Sequence, residues 1–80
     1  MKELKDTINL MLSDNYIDRF KAEYYQLLIR YDKLKYMVAH WNDLDFVPIC
    51  DKQIYNAQLQ YMLSYIYLLQ TRAIEENIQL

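Results

Sequence analysis

Glycine is absent from the 80 residues, and proline occurs once, at Pro48. A sheet built on tight hairpins calls for glycine at positive φ in its turns. The composition therefore predicts few, long helices joined by few loops. A phosphate-cradling glycine loop is excluded for the same reason. The single cysteine, Cys50, allows no internal disulfide, and the single histidine, His40, allows no histidine-based metal site within one chain. No apolar run reaches membrane-spanning length; the richest, residues 61–69, makes about two and a half helical turns. No secretory leader is recognisable, and a reduced, cytoplasmic setting with no membrane partner is expected. The formal net charge is −2, whereas a non-specific binder of DNA or RNA is clearly basic. Long nucleic acid is thus not an expected partner, although a local basic pocket for a small anion stays compatible.

Apolar material is abundant. Hydrophobic residues make up 54% of the chain and nine residues are tyrosine, more than a two-helix hairpin hides within itself. The surplus predicts burial between subunits, hence a homo-oligomer.

The longest periodic stretch is residues 16–41. Ile17, Phe20, Tyr24, Leu27, Tyr31, Leu34, Val38 and Trp41 step alternately by three and four, the seam of a long helix packed along another. Its outer face is expected to carry Arg19, Lys21, Glu23, Arg30, Asp32, Lys33 and Lys35. A second seam, Tyr55, Leu59, Met62, Ile66, Leu69 and Ala73, predicts a partner helix over residues 52–76. The loop of about ten residues between them lets the two lie antiparallel. Pro48 and the aspartates Asp43 and Asp45 break the helix pattern over residues 42–51. Leu44, Phe46 and Ile49 are expected to fold back as a plug over the hairpin end, with Asp51 as the next N-cap.

Upstream, residues 2–12 read as a short helix with Leu4, Ile8, Met11 and Leu12 on one face and Lys2, Glu3, Lys5 and Asp6 mostly opposite. Ser13, Asp14 and Asn15 form the break, and Asn15 with Asp18 resembles a capping box. The predicted fold is all-α: a short N-terminal helix followed by a long antiparallel hairpin in a single domain, residues 1–80. The last helix carries further apolar residues, Tyr61, Tyr65 and Leu68 on one flank and Leu63, Tyr67 and Ile74 on another, so several of its sides call for cover.

No catalytic constellation stands out, and no enzyme activity or cofactor is expected. His40 reads as a helix-end cap and dipole partner, Cys50 as a small buried hydrophobe, and Asp43 with Asp45 as loop and cap residues. The tyrosines suit a surface that stacks on a base and hydrogen-bonds its edge. Tyr16 precedes Arg19-Phe20-Lys21 near a helix N-terminus, where phosphate binds readily; packing is the other role open to it. Arg72 is either a helix-end charge or a cation reaching a ligand at a subunit boundary.

Three short runs carry a family resemblance: Arg19-Phe20-Lys21-Ala22 at the start of the long helix, Gln58-Leu59-Gln60, and Thr71-Arg72-Ala73-Ile74 near the end. With the order of helices, they make the chain resemble the phage anti-CBASS cyclic-oligonucleotide sponges, whose helical hairpin recurs in Thoeris anti-defence sponges. The resemblance implies a homo-oligomer, described as a hexamer in that family. It implies capture of a cyclic di- or trinucleotide, or a cyclic ADP-ribose type signal, without hydrolysis, which blocks host defence. It assigns ligand contact to Lys21 and a second kind of ligand pocket to Arg72. Arg19 stands in the same run as Lys21, and Tyr16 is the nearest candidate for the tyrosine the family uses from its upstream segment. A small helical interaction protein that binds and inhibits or adapts a host or phage protein is the alternative function.

Overall fold

In the computed structural model, which describes residues 3–80, a 3-10 turn (Leu4–Thr7) leads into one turn of helix (α1, Ile8–Met11). Two long helices follow, α2 (Tyr16–Ala39) and α3 (Lys52–Glu75), with a second 3-10 turn, Trp41–Asp43, after α2. No strand occurs among the described residues, and the chain is all-α, a short helical segment followed by a helical hairpin. Lys2, expected at the start of the first helix, lies outside the described residues.

Local chemistry sets these boundaries. Asn15 is extended and its side-chain oxygen accepts from the Ile17 N–H at 2.8 Å, capping α2. The reciprocal half of the expected capping box is not made. Asp18 accepts from the Ser13 hydroxyl at 2.8 Å, and that hydroxyl in turn accepts from the Asn15 N–H at 3.1 Å. Ser13 thus stands between the two residues expected to pair. At the other end α2 stops at Ala39, two residues short of Trp41. His40 has left helical geometry, its Nδ1 lies 2.8 Å from the Tyr36 carbonyl oxygen, and its ring stacks on Tyr36 with centroids 4.0 Å apart. Asp51 holds the N-cap position of α3, although its carboxylate accepts no capping hydrogen bond.

The end of α3 shows what replaces glycine here. Asn77 adopts φ 58, the Asn77 N–H donates to Ile74 O at 3.3 Å, and the Ile78 N–H donates to Ala73 O at 2.8 Å. This is a Schellman motif with asparagine at the left-handed position, and it folds Ile78 back beside Ala73, both buried. Asparagine tolerates that region better than other non-glycine residues because it lends a short polar side chain to the local backbone. Asn77→Gly should raise the melting temperature by a few degrees, and Asn77→Ala should lower it, at about 1 kcal/mol for the lost left-handed tolerance. Equal melting of all three proteins would show that the motif does not limit stability.

The core lies where the free end of the hairpin closes. Phe20 and Tyr24 of α2 pack with Ile66, Leu69 and Ala73 of α3 and with Ile78, while Tyr25, Leu27, Leu28 and Tyr31 flank them. Both predicted seams therefore meet. The seam residue Ile17 is the exception: it sits on the exposed edge one turn beyond the contact. A second buried stripe on α2, Ala22 and Ile29, lies to the side of the seam. Gln26, between them, donates to the Thr7 hydroxyl at 2.9 Å, and its amide nitrogen is 3.6 Å from the Met11 sulfur. The N-terminal segment thus packs on α2 of its own chain. Its buried residue is Thr7, fully enclosed and donating to Leu4 O at 2.7 Å, rather than the expected face, of which Ile8, Met11 and Leu12 stay exposed.

The expected plug also differs. Leu44 is half-buried, but Phe46 is exposed and Ile49 is 100% exposed. Trp41 takes that place, its ring 5.8 Å from that of Tyr55, because the 3-10 turn swings it back over the hairpin end. The radius of gyration is 14.7 Å, against about 11.6 Å for a compact chain of this length. An elongated hairpin of this kind leaves much apolar surface outside.

Candidate ligand-binding site

Tyr16 and Arg72, 56 residues apart, meet across the free end of the hairpin. The Arg72 Nη2 donates to the Tyr16 hydroxyl at 3.1 Å, and that hydroxyl donates to Glu76 Oε1 at 2.6 Å. Arg72 Nε closes the cluster on Glu76 Oε2 at 3.2 Å, a pairing one helical turn apart. Beneath, the Arg72 guanidinium carbon sits 5.0 Å from the centroid of the Phe20 ring. About two turns inward a second clasp reverses the pairing of tyrosine and carboxylate: the Tyr65 hydroxyl on α3 donates to Glu23 on α2.

These contacts define the charge states. The Tyr16 hydrogen bond, then that of Arg72, holds the Glu76 carboxyl below the usual carboxylate range. The hydrogen bond to Glu76, with some loss of solvent, pushes the Tyr16 phenol up. Tyr65 is raised by its hydrogen bond to Glu23 and by burial, with the Arg72 charge opposing the rise. Arg72 is raised by Tyr16 and then Glu76. Near neutral pH the cluster is therefore a neutral phenol between a paired cation and anion, with Arg72 facing Glu76.

A depressed carboxylate adds stability above its unfolded pKa, and that contribution vanishes as pH falls through the lowered folded value. Glu76→Gln should accordingly flatten the acid limb of a melting-temperature profile below about pH 5. A limb as steep as that of the parent would mean that other carboxylates set it.

Arg19 and Lys21 part company. Two positions along a helix turn about 200°, so they lie on opposite flanks of α2. Arg19 donates from Nη1 to Ser13 O at 2.9 Å and stands at the rim of a groove of about 370 Å³ between α1 and α2. Met11, Ala22 and Leu27 supply its apolar lining, Gln26 and Glu23 its neutral and acidic groups, and Arg30 the second cation. Eleven residues, three helical turns, separate Arg19 from Arg30, so their backbone positions lie about 16 Å apart along the axis on the same side of α2. Lys21 is half-buried on the other flank, where Lys35 also lies, with Lys35 Nζ 5.7 Å from the Tyr31 ring. Tyr31, Lys35, Asn56, Leu59, Gln60 and Leu63 line a hollow of about 380 Å³ there.

The structure thus joins Tyr16 to Arg72, sets Arg19 in a groove with Arg30, and places Lys21 on the opposite side of α2. Arg30 and Gln26 carry no motif: Arg30 stands among the outer-face charges, and no local signal singles out Gln26. The spacing of Arg19 and Arg30, three full turns, was the one available signal for the groove.

The site thus lies on a helical hairpin whose flanks carry tyrosines and cationic side chains. A family model described as Sequestin matches residues 14–75, which span both long helices and all four predicted residues, and the chain belongs to the Sequestin family. No curated protein and no solved structure matches. The family name denotes a sequestering protein, in line with the sponge-like role implied by the resemblance. Among the described residues no helix is long and apolar enough to cross a membrane, and no group of three or more His, Cys, Asp or Glu side chains could hold a metal ion.

Proposed function

We propose that the protein is a non-catalytic, cytoplasmic sponge of phage origin. It binds a cyclic nucleotide immune signal stoichiometrically and keeps it from the host's defence effector. The signal is a cyclic di- or trinucleotide or a cyclic ADP-ribose type compound. The observation that carries this reading is the Sequestin match across both long helices. The arginine-lined groove supports a ligand position between α1 and α2. Two guanidinium groups suit two phosphates, the apolar lining suits a base or ribose face, and the Gln26 amide suits a base edge. Lys21 on the opposite flank completes the pocket from a neighbouring protomer, so the site is formed by the homo-oligomer, as in the hexamers the resemblance implies.

A thermal melt against a panel of cyclic di- and trinucleotides and cyclic ADP-ribose isomers tests the proposal. A ligand at a hundred times its dissociation constant adds about 2.7 kcal/mol to the native state, a shift of roughly ten degrees or more for a chain this small. The bound ligand should be recovered unchanged after heating. A cleaved ligand would sink the non-catalytic reading. Absence of any shift from a stably folded protein would move the assignment to the alternative, a helical protein that binds and inhibits or adapts a host or phage protein.

A further inference from the structure

We propose that the hollow between α2 and α3, near the closed end of the hairpin, is a separate binding site for a nucleoside monophosphate. The hollow measures about 380 Å³ and is lined by Tyr31 and Lys35 of α2 and by Asn56, Leu59, Gln60 and Leu63 of α3. It shares no residue with the arginine-lined groove. From Gln26 in the groove to Lys35 is nine positions, a rotation of about 180° around α2. Lys21, on the same flank as Lys35, stands fourteen residues away, about 21 Å along the axis. The inference therefore does not rest on the sponge reading.

The polar groups of the hollow are uncommitted. Lys35 makes no ion pair among the described residues. Its ammonium sits 5.7 Å from the centre of the Tyr31 ring, a loose hold that an anion outcompetes. The side-chain amides of Asn56 and Gln60, one turn apart on α3, make no hydrogen bond among the described residues either. No acidic side chain lines the hollow, and α3 carries no charged residue from Gln53 to Thr71, so Lys35 sets its sign. The two ends differ in chemistry. Trp41 beside Tyr55 and Tyr24 beside Gln70 fix the antiparallel run, which brings Lys35 level with Gln60 and Tyr31 level with Leu63. One end thus offers a cation and amide donors, and the other an aromatic ring and leucines, one turn or about 6 Å apart along α2. A ribose spans such a gap between base and phosphate. The phosphate accepts from the ammonium and the amide N–H groups, and the base stacks at the other end. The volume lies at the small end of ligand pockets, about 300–1,000 Å³, and suits one nucleotide rather than a cyclic pair.

Calorimetric titration of the full chain with AMP, and with adenosine and inorganic phosphate separately, tests the site. AMP should bind saturably, one per chain, and each of the two fragments about tenfold or more weakly. Lys35→Gln, at an exposed position, should keep its helicity by circular dichroism and weaken AMP by about tenfold. In isotope-labelled protein, the side-chain amide resonances of Asn56 and Gln60 should move with AMP while that of Gln26 stays. No saturation up to about 5 mM AMP, parental affinity in Lys35→Gln, or movement of Gln26 with Asn56 and Gln60 still would each overturn the proposal. Inorganic phosphate binding as tightly as AMP would overturn the assignment of a nucleotide. A melting temperature unmoved by every cyclic nucleotide would count against the sponge and leave these readouts intact.

Discussion

Leu69→Ala should lower the unfolding free energy by about 2–5 kcal/mol, the range for a buried leucine whose neighbours close only partly over the space left. Leu69 is 0% exposed and is the largest fully enclosed side chain of the hairpin. It sits among Phe20, Tyr24, Ile66, Ala73 and Ile78, which are drawn from both helices and the returning C-terminal residue. None of these can swing in freely: Phe20 carries Arg72 on its face, the Tyr24 hydroxyl accepts from Gln70 at 3.0 Å, and Ile78 is held by the Schellman bonds. The loss is a large share of what an 80-residue chain has to spare, so the melting temperature should drop by ten degrees or more. Urea titrations at several protein concentrations separate this effect from any change in association. Ile49→Ala, at a fully exposed position, should shift stability by less than about 0.5 kcal/mol. If Leu69→Ala matched Ile49→Ala, the core would lie elsewhere.

Arg30→Glu should abolish ligand capture while leaving the fold alone. Arg30 is exposed and makes no ion pair among the described residues, so its replacement costs the native state little. Its value lies in the groove it shares with Arg19. A charge-assisted hydrogen bond to a phosphate contributes about 1.5–3 kcal/mol. Reversal removes that and adds repulsion, so affinity should fall at least about a hundredfold. Lys21→Ala removes a single cation from the opposite flank and should weaken the same ligand by about tenfold. Both variants should keep their helicity and assembly. Calorimetric titration with whichever cyclic nucleotide shifts the melt distinguishes the cases. Loss only with Arg30→Glu would confine the ligand to the groove of one protomer, loss only with Lys21→Ala would move it to the opposite flank, and retention with both would remove it from α2 altogether.

The two seams were legible because heptad spacing reports directly which residues face a neighbouring helix, and Phe20, Tyr24, Ile66, Leu69 and Ala73 are where that spacing placed them. The Asn15 cap was legible from residue type alone. The stripe of Ala22 and Ile29 was not. A polar residue, Gln26, sits at its centre, and only its bond to the buried Thr7 explains why amide and alanine share a covered face. The plug failed for a related reason. Hydrophobicity marked Phe46 and Ile49, but the backbone after His40 turned Trp41 inward first. Of the candidate site, residue types were readable and groupings were not. Tyr16 meets Arg72 and Glu76 across some 60 residues, and nothing local announces such a meeting.

The contact of Trp41 with Tyr55 has a bearing on the order of events as the chain folds. It closes a segment of about fourteen residues, whereas Tyr16 and Glu76 close about sixty, a difference of roughly 1.3 kcal/mol in closure entropy. The turn is therefore the cheapest place to begin, and the helices zip from it toward the free end. Substitution of Trp41 should slow folding, while Tyr16→Phe should mainly speed unfolding. The free end, where the tyrosine–carboxylate clasps and the C-terminal hook gather, works as a latch: last to close, and the part of the molecule that sets how long the closed hairpin lasts.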